Sequence, residues 1–223
     1  ERIFKPLEMN NSNTSITKMV LSKDFATPYW QSKSGPFEID NWNVDLGGPA
    51  ASINSCVEDM LKWLQFHIDE GVTQSKNGKE GKRLIKKETL NEMHKTQVPY
   101  TLWPWDFDEL PPTGGYGMAW FTDVYRGKAM YFHVGEIEGY TATEVVIPKE
   151  HLGIIILNNI HKPATLIQQS ITYTIIDNVL GLTPEDWSTR FYKERNNYGH
   201  MLEDWNNNLM PGKPVPGTLP SHA

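Results

Sequence analysis

Apolar residues at helical spacing stand out most clearly between residues 55 and 71. Val57, Met60, Leu61, Leu64 and Ile68 recur at intervals of three and four, which sets them on one face of a helix. Ser55, three residues ahead of Glu58, has the form of a capping box, and Gly71 is placed to end the helix. A shorter amphipathic pattern runs over 84–96 through Leu84, Leu90 and Met93. A third set, Ile167, Ile171, Ile175 and Val179, predicts a helix opened by Pro163 and closed by Gly181, with these four residues along one face.

Between the second and third helices the period changes to two. Residues 116–124, 129–134, 142–147 and 153–158 are strand-like runs divided by Gly, Pro or charged residues. Their connections are too short for parallel crossovers, which need about a dozen residues, so the runs predict an antiparallel meander. Alternation in the second run puts Met130, Phe132 and Val134 on one face, with Tyr131 and His133 on the other. The implied class is α+β, an antiparallel sheet flanked by helices.

The segments outside these patterns are loops or extensions. Residues 72–82 read as an exposed loop. Residues 97–115, with four prolines and Tyr100, Trp103, Trp105 and Phe107, fit neither period and read as an aromatic-pinned surface loop or a binding lid. Past Leu182, Thr183-Pro184-Glu185-Asp186 marks another helix start. A polar stretch with Trp187 and Trp205 follows, and then a Pro-rich run over 211–217. The expected organisation is one domain over 1–181 and a helical extension with a linker over 182–223, without internal repeats.

Composition narrows the function classes. With 223 residues, 39% hydrophobic, eight Trp and eight Phe, the chain can bury a sizeable core. A net charge of −6 without a basic run argues against nucleic acid as a partner. The longest apolar stretch, around Gly153 to Leu157, falls far short of the roughly 20 residues a membrane span needs. Cys56 is the one cysteine, so no internal disulfide forms, and it reads as a helix-start residue. Asn10-Asn11-Ser12 and Asn13-Thr14-Ser15 are glycosylation acceptor patterns that suit a secreted, extracellular protein. The seven histidines include no His-Glu-x-x-His and no close pair along the chain, and no metal or organic cofactor is expected.

Several segments, in order, resemble the serine β-lactamase-like family of class C β-lactamases, penicillin-binding proteins and esterases. Arg2-Ile3-Phe4-Lys5-Pro6-Leu7-Glu8-Met9 is similar to the family's Pro-Leu-Gly-Met segment, with Glu8 in place of Gly. Gly47-Gly48-Pro49-Ala50-Ala51-Ser52 and Glu58-Asp59-Met60-Leu61-Lys62-Trp63-Leu64 look like the Gly-Gly turn and Asp-Met helix that follow. Tyr116-Gly117-Met118-Ala119-Trp120 resembles the strand before the third catalytic motif. His133-Val134-Gly135, Gly139-Tyr140, Ile147-Pro148 and Leu152-Gly153-Ile154-Ile155-Ile156-Leu157-Asn158-Asn159 resemble the motif strand and the two strands after it.

The resemblance implies a serine hydrolase that forms an acyl-enzyme on a small ester or amide. In that family the Ser-x-x-Lys nucleophile and the Tyr-x-Asn element come before the Pro-Leu-Gly-Met segment. Both are therefore expected outside this chain, in a preceding segment or a separate processed chain, and these residues alone are expected to be inactive. Ser15-Ile16-Thr17-Lys18 and Ser52-Ile53-Asn54 match the short patterns but fall after that segment, and Ser15 reads as part of a solvated loop.

His133 would occupy the first position of the third motif and hold its proton network, with a charge that depends on pH. Val134 stands where the family has Thr and cannot donate the hydroxyl hydrogen bond to a substrate carboxylate. Gly135 would allow close approach of a ligand, and the N–H of Glu136 would match the second oxyanion donor. The Glu136 side chain would oppose anionic substrates and point to neutral ones. Paired carboxylates at Glu136 and Glu138 for glycoside hydrolysis fit poorly, being two apart on a tight turn. The rival reading is a non-catalytic extracellular binding or structural module on the hydrolase scaffold, favoured by Val134 and Glu136.

Overall fold

The computed structural model describes residues 1–32, 34–75, 80–100, 107–110, 114–161 and 164–194. In chain order these form α1 (Ile16–Val20), β1 (Tyr29–Ser32), β2 (Gly35–Glu38), α2 (Gly48–Ala51), α3 (Val57–Ile68), α4 (Lys87–Met93) and β3 (Val98–Pro99). β4 (Gly115–Tyr116), β5 (Phe121–Tyr125), β6 (Lys128–Ile137), β7 (Tyr140–Ile147), β8 (Leu152–Asn158), β9 (Ile160–His161) and α5 (Ala164–Val179) follow. Residues 187–194 are also helical.

The expected meander is present as a six-stranded antiparallel sheet in the order β3-β4-β5-β6-β7-β8. The run expected over 116–124 is interrupted. Gly117 donates its N–H to the Trp120 carbonyl at 2.7 Å, and Ala119 takes a left-handed φ of 61°. A Cβ on Gly117 would lie 2.4 Å from the Met93 carbonyl oxygen, so the turn depends on a backbone approach that only glycine permits. A second sheet, β2-β1-β9, was not legible in the pattern: β1 and β2 are short, partly polar strands, and β9 joins β1 in parallel.

The two faces of the large sheet carry different layers, as the alternation in β6 implies. Met130 and Phe132 join Val145, Ile147, Ile154, Tyr173 and Ile176 in the main core beneath α5. Tyr131 lies on the other face, with Leu64, Ile68, Trp120 and Val146 beneath α3. A Cβ on Gly153 would lie 3.1 Å from Leu64 Cβ, so this glycine sets how closely α3 approaches the sheet.

The start of α3 differs from the capping box. Cys56 is the N-cap and makes no side-chain cap bond, and the Ser55 hydroxyl lies 2.8 Å from that of Ser12. Asp59 takes over the anchoring role: fully buried, it accepts from Asn11 N–H at 2.7 Å, Ser12 Oγ at 2.9 Å and Lys62 Nζ at 2.8 Å. These bonds hold its carboxyl below the usual range against the opposing effect of burial. They also pin the segment after Met9 onto the helix. The C-terminal end is as expected: Gly71 has φ 85° and donates to the Phe66 carbonyl.

Of the predicted apolar face of α5, Ile175 packs against the main core and the other three residues point outward. Ile167, Ile171 and Val179 are 52%, 40% and 60% exposed, while Gln168, Gln169, Thr172, Tyr173, Ile176 and Asp177 are buried. Hydrogen bonding decides the rotation. Thr143 donates to Gln168 Oε1 at 2.9 Å, Tyr125 donates to Asp177 at 2.6 Å, and Trp187 Nε1 donates to the other Asp177 oxygen at 2.8 Å. Arg126 completes the cluster, 3.3 Å from Asp177 and bonded to the Thr183 carbonyl. Gly181 closes the helix at φ 62°, as its position implies.

Trp187 and Phe191 are buried in the main core, so residues 182–194 pack with the sheet and α5. Phe107 belongs to the same cluster, and Arg190 lies over its ring at 4.2 Å. The expected opening of α5 by Pro163, Trp103 and Trp105 in the long loop, and the linker over 211–217 lie outside the described residues.

Asp177→Ala leaves Tyr125, Trp187 and Arg126 without their common acceptor. It should destabilise the fold by about 3–5 kcal/mol, measured by urea unfolding followed through tryptophan fluorescence. A loss below about 1 kcal/mol would show that the cluster is dispensable.

His67 and His94, 27 residues apart, meet between α3 and the end of α4, with His67 Nδ1 3.2 Å from His94 Nε2. Trp63, Trp120 and Tyr131 surround them. Burial, helped by the neighbouring His94, lowers His67 to about 3, and burial lowers His94 to about 4. Both are therefore neutral in the fold, while an unfolded chain protonates them below about 6.5. Their contribution is fully present above pH 6.5 and is lost as pH falls toward 4 and 3. Replacing one titrating group, as in His94→Gln, should make the fall in stability between pH 6.5 and 4 shallower by up to ~1.4 kcal/mol per pH unit. Denaturant midpoints across that range give the slope, and an unaltered slope counts against the pair.

Candidate functional site

The sheet leaves β6 half accompanied. Its pairing with β5 ends at Phe121 opposite Phe132, whereas its pairing with β7 continues to Ile137 opposite Tyr140. Two-residue turns at Arg126-Gly127 and Glu138-Gly139 fix which backbone groups face which neighbour. Lys128, Met130 and Phe132 bond toward β5, while His133, Gly135 and Ile137 bond toward β7. The backbone N–H and C=O groups of Val134 and Glu136 therefore point to the edge that no described strand accompanies.

Side chains at the same four positions divide between the faces. His133 and Gly135 lie on the α3 face with Tyr131. His133 is partly buried, its Nε2 is 3.2 Å from the Tyr116 hydroxyl, and its ring centroid lies 5.5 Å from that of Phe121. Burial pushes its pKa down, and a hydrogen bond to the Val134 backbone partly offsets this. With Nε2 unprotonated, the ring can accept a proton at the nitrogen facing Tyr116, as a general base does. A Cβ on Gly135 would meet only Ala142 Cβ, at 3.8 Å. Packing does not require glycine there, and its missing side chain leaves room beside His133.

Val134 and Glu136 face the other way. Val134 packs against the main core, where a valine suits the apolar surroundings. Glu136 Oε1 is 3.1 Å from His161 Nε2, and the His161 ring stacks on Trp30 at 4.2 Å with 14° between planes. The structure thus directs the Glu136 carboxylate away from His133 and toward a histidine of β9. Glu136 and His133 both lie on the half of β6 beyond the end of its pairing with β5.

Three residues near His133 escaped the sequence reading. Tyr116 sits on β4, brought there by the turn at 117–120. Glu144 on β7 is directly opposite His133, and Trp63 reaches it from α3. The signal for Glu144 was present: residues 133 and 144 are equidistant from the Glu138-Gly139 turn, and Glu144 is the one charged residue in an otherwise apolar-rich strand. Burial pushes its carboxyl up to about 7, opposed by the hydrogen bond from Trp63. Its Oε2 is closed off from solvent and has no hydrogen-bond partner.

The serine patterns have structural roles. Ser15 is the N-cap of α1, accepting from Lys18 N–H at 3.4 Å and donating to Asp45 Oδ2 at 3.0 Å, so it lies at a short helix start and not in a loop. Ser52 is buried and donates to the Gly48 carbonyl. Among the described residues no group of three or more His, Cys, Asp or Glu is arranged to hold a metal ion, and no helix is long and apolar enough to cross a membrane.

Comparison with known proteins gives this geometry a family. The unguisins hydrolase ungD' of Aspergillus campestris is 21% identical over 99% of this chain and 40% of its own length. That of Aspergillus violaceofuscus is 23% identical over 99% of this chain and 41% of its own. The chain therefore spans about two fifths of the curated relatives it matches. The octameric penicillin-binding protein homologue from Pyrococcus abyssi shares the fold at a TM-score of 0.64 and 22% identity, over 87% of this chain and 39% of that one. A D-stereospecific amidohydrolase from a Streptomyces species does so at 0.52 and 20% identity, over 72% and 42%. The β-lactamase family model matches residues 1–172, the stretch that holds α3, the complete meander and the half-open strand with His133, and the chain belongs to the β-lactamase family.

Proposed function

We propose that this chain is the C-terminal portion of a serine hydrolase that cleaves a small ester or amide through an acyl-enzyme. The observation that carries the reading is the juxtaposition of His133, bonded to Tyr116, with the outward backbone of Glu136 on the unaccompanied half of β6. In this reading the nucleophilic Ser and its Lys come from residues outside this chain, on a preceding segment or a separate chain, and meet His133 on the α3 face. His133 relays a proton between nucleophile and leaving group, and the Glu136 N–H stabilises the developing oxyanion. Gly135 leaves space for the acyl group, and the chemistry calls for no metal or organic cofactor.

The named hydrolase and amidohydrolase relatives support this class of reaction. Placement of the Glu136 carboxylate on the opposite face removes one objection to acidic substrates, so the acyl group need not be neutral. The two acceptor patterns near the N-terminus favour an extracellular setting.

Treatment of the native protein with a serine-reactive fluorophosphonate, followed by peptide mapping, should place the adduct on a serine outside residues 1–223. His133→Ala in that protein should lower kcat/KM by about 10²- to 10⁴-fold. The 223-residue chain by itself should not turn over a nitrophenyl ester, and turnover abolished by Ser15→Ala would overturn the assignment of the nucleophile. Absence of any adduct would favour a scaffold that binds without catalysing.

A further inference from the structure

The oxyanion role given to Glu136 falls on its backbone N–H, which belongs to the planar peptide unit joining Gly135 to Glu136. Two torsions set its direction, ψ of Gly135 and φ of Glu136. Glycine is the residue that restrains its own torsions least. Along one edge, β7 holds this stretch of β6 through Gly135 opposite Ala142 and Ile137 opposite Tyr140. Along the other, β5 has already ended, at Phe121 opposite Phe132. An N–H that faces a ligand from such a strand keeps a constant aim only if a further anchor supports it.

The Glu136 side chain supplies that anchor. Its Oε1 lies 3.1 Å from His161 Nε2, and the His161 side chain is 11% exposed against 35% for Glu136. The bond forms whether the imidazole is charged or is neutral with its proton on Nε2. His161 is itself fixed from two directions. Trp30 is its direct partner in the parallel β1–β9 pair, and the two rings stack with 14° between planes. Ile160, the residue before it, accepts a hydrogen bond at its carbonyl from Thr141 Oγ1 at 3.3 Å. Thr141 stands directly opposite Glu136 on β7. Both members of one cross-strand pair therefore reach β9, one at the backbone of Ile160 and the other at the ring of His161.

We propose that His161 is a positioning residue for the oxyanion donor: by holding the Glu136 side chain on one face of β6, it fixes the direction of the Glu136 N–H at the strand edge. The inference rests on the reading of that N–H as the donor. In a strand the side chain stands roughly perpendicular to the sheet and the N–H lies within it. A side chain locked on one face thus limits how far the peptide unit can turn. The small sheet of β1, β2 and β9 does for this half of β6 what a second neighbouring strand does for the first half.

The test has two parts. In the 223-residue chain, nitrogen-15 relaxation gives the order parameter of the Glu136 N–H. It should be that of rigid backbone, about 0.85, in the wild type and fall below about 0.6 in His161→Ala, while Val145 in the core keeps its value. His161→Gln, which still presents an N–H donor near the position of Nε2, should restore most of the order. A merely structural histidine would alter thermal stability without singling out that N–H, and equal order at position 136 in wild type and His161→Ala would overturn the proposal. Should His161→Ala fail to fold, Glu136→Ala removes the same contact from the other end and is read in the same way. An N–H already mobile in the wild type would reject the clamp outright. In the native protein, His161→Ala should lower kcat for a nitrophenyl ester about tenfold with KM within about twofold, part of the roughly 10²- to 10³-fold that loss of a whole oxyanion donor costs. A loosened N–H with kcat unchanged would leave the clamp standing and refute the oxyanion reading. A rigid N–H with kcat lowered would refute the clamp.

Discussion

A mismatch in strand length governs this molecule: β6 has ten residues and β5 five. A strand inside a sheet normally spends its backbone groups on two neighbours. Here the first half of β6 does so, while among the described strands the second half pairs with β7. Rigidity comes from the paired half and from β7, and accessibility comes from the other. The side chains and N–H groups a ligand could meet are thereby fixed to a regular element instead of a loop, which keeps their geometry well defined.

Both layers against the sheet contain buried polar groups, and the two treat them differently. Beneath α5, the Asp177 carboxylate gathers a phenol, an indole and a guanidinium. Burial and, after it, the hydrogen bond to Asp177 push the Tyr125 hydroxyl well above its ordinary range. Beneath α3, by contrast, exclusion of water keeps two imidazoles neutral and raises the Glu144 carboxyl to about 7. One layer is held by ion pairing and the other by burial of imidazoles, and His133 lies on the second side.

Period and turn spacing made the meander, the faces of β6 and the end of α3 legible, because each depends on local geometry. They misjudged α5, where Ile167, Ile171 and Val179 lie on the outer face. Apolar periodicity cannot register that Gln168 and Asp177 find partners across the sheet, and those partners decide which side turns inward. The capping box failed for a similar reason, since Ser12, 43 residues away in sequence, claims the Ser55 hydroxyl. His133 was singled out from its motif. Its companions Tyr116 and Glu144 come from neighbouring strands and become visible once the hairpin register is counted, whereas Trp63 and His161 require the tertiary fold.

Tyr140, just after the Glu138-Gly139 turn, lies within hydrogen-bond distance of the Ala26 carbonyl and of Asn41 Oδ1, at 2.7 and 2.8 Å. Those contacts close loops of 114 and 99 residues, while the meander joins strands adjacent in sequence. Loop-closure entropy grows slowly with length but must be met before such contacts give any return. The cheap order of assembly is therefore hairpins first, with the small sheet of β1, β2 and β9 docking onto a hairpin tip that is already formed. In kinetic terms the end of β6 is an early template, and the segment around β1 and β2 is a later arrival that docks on it.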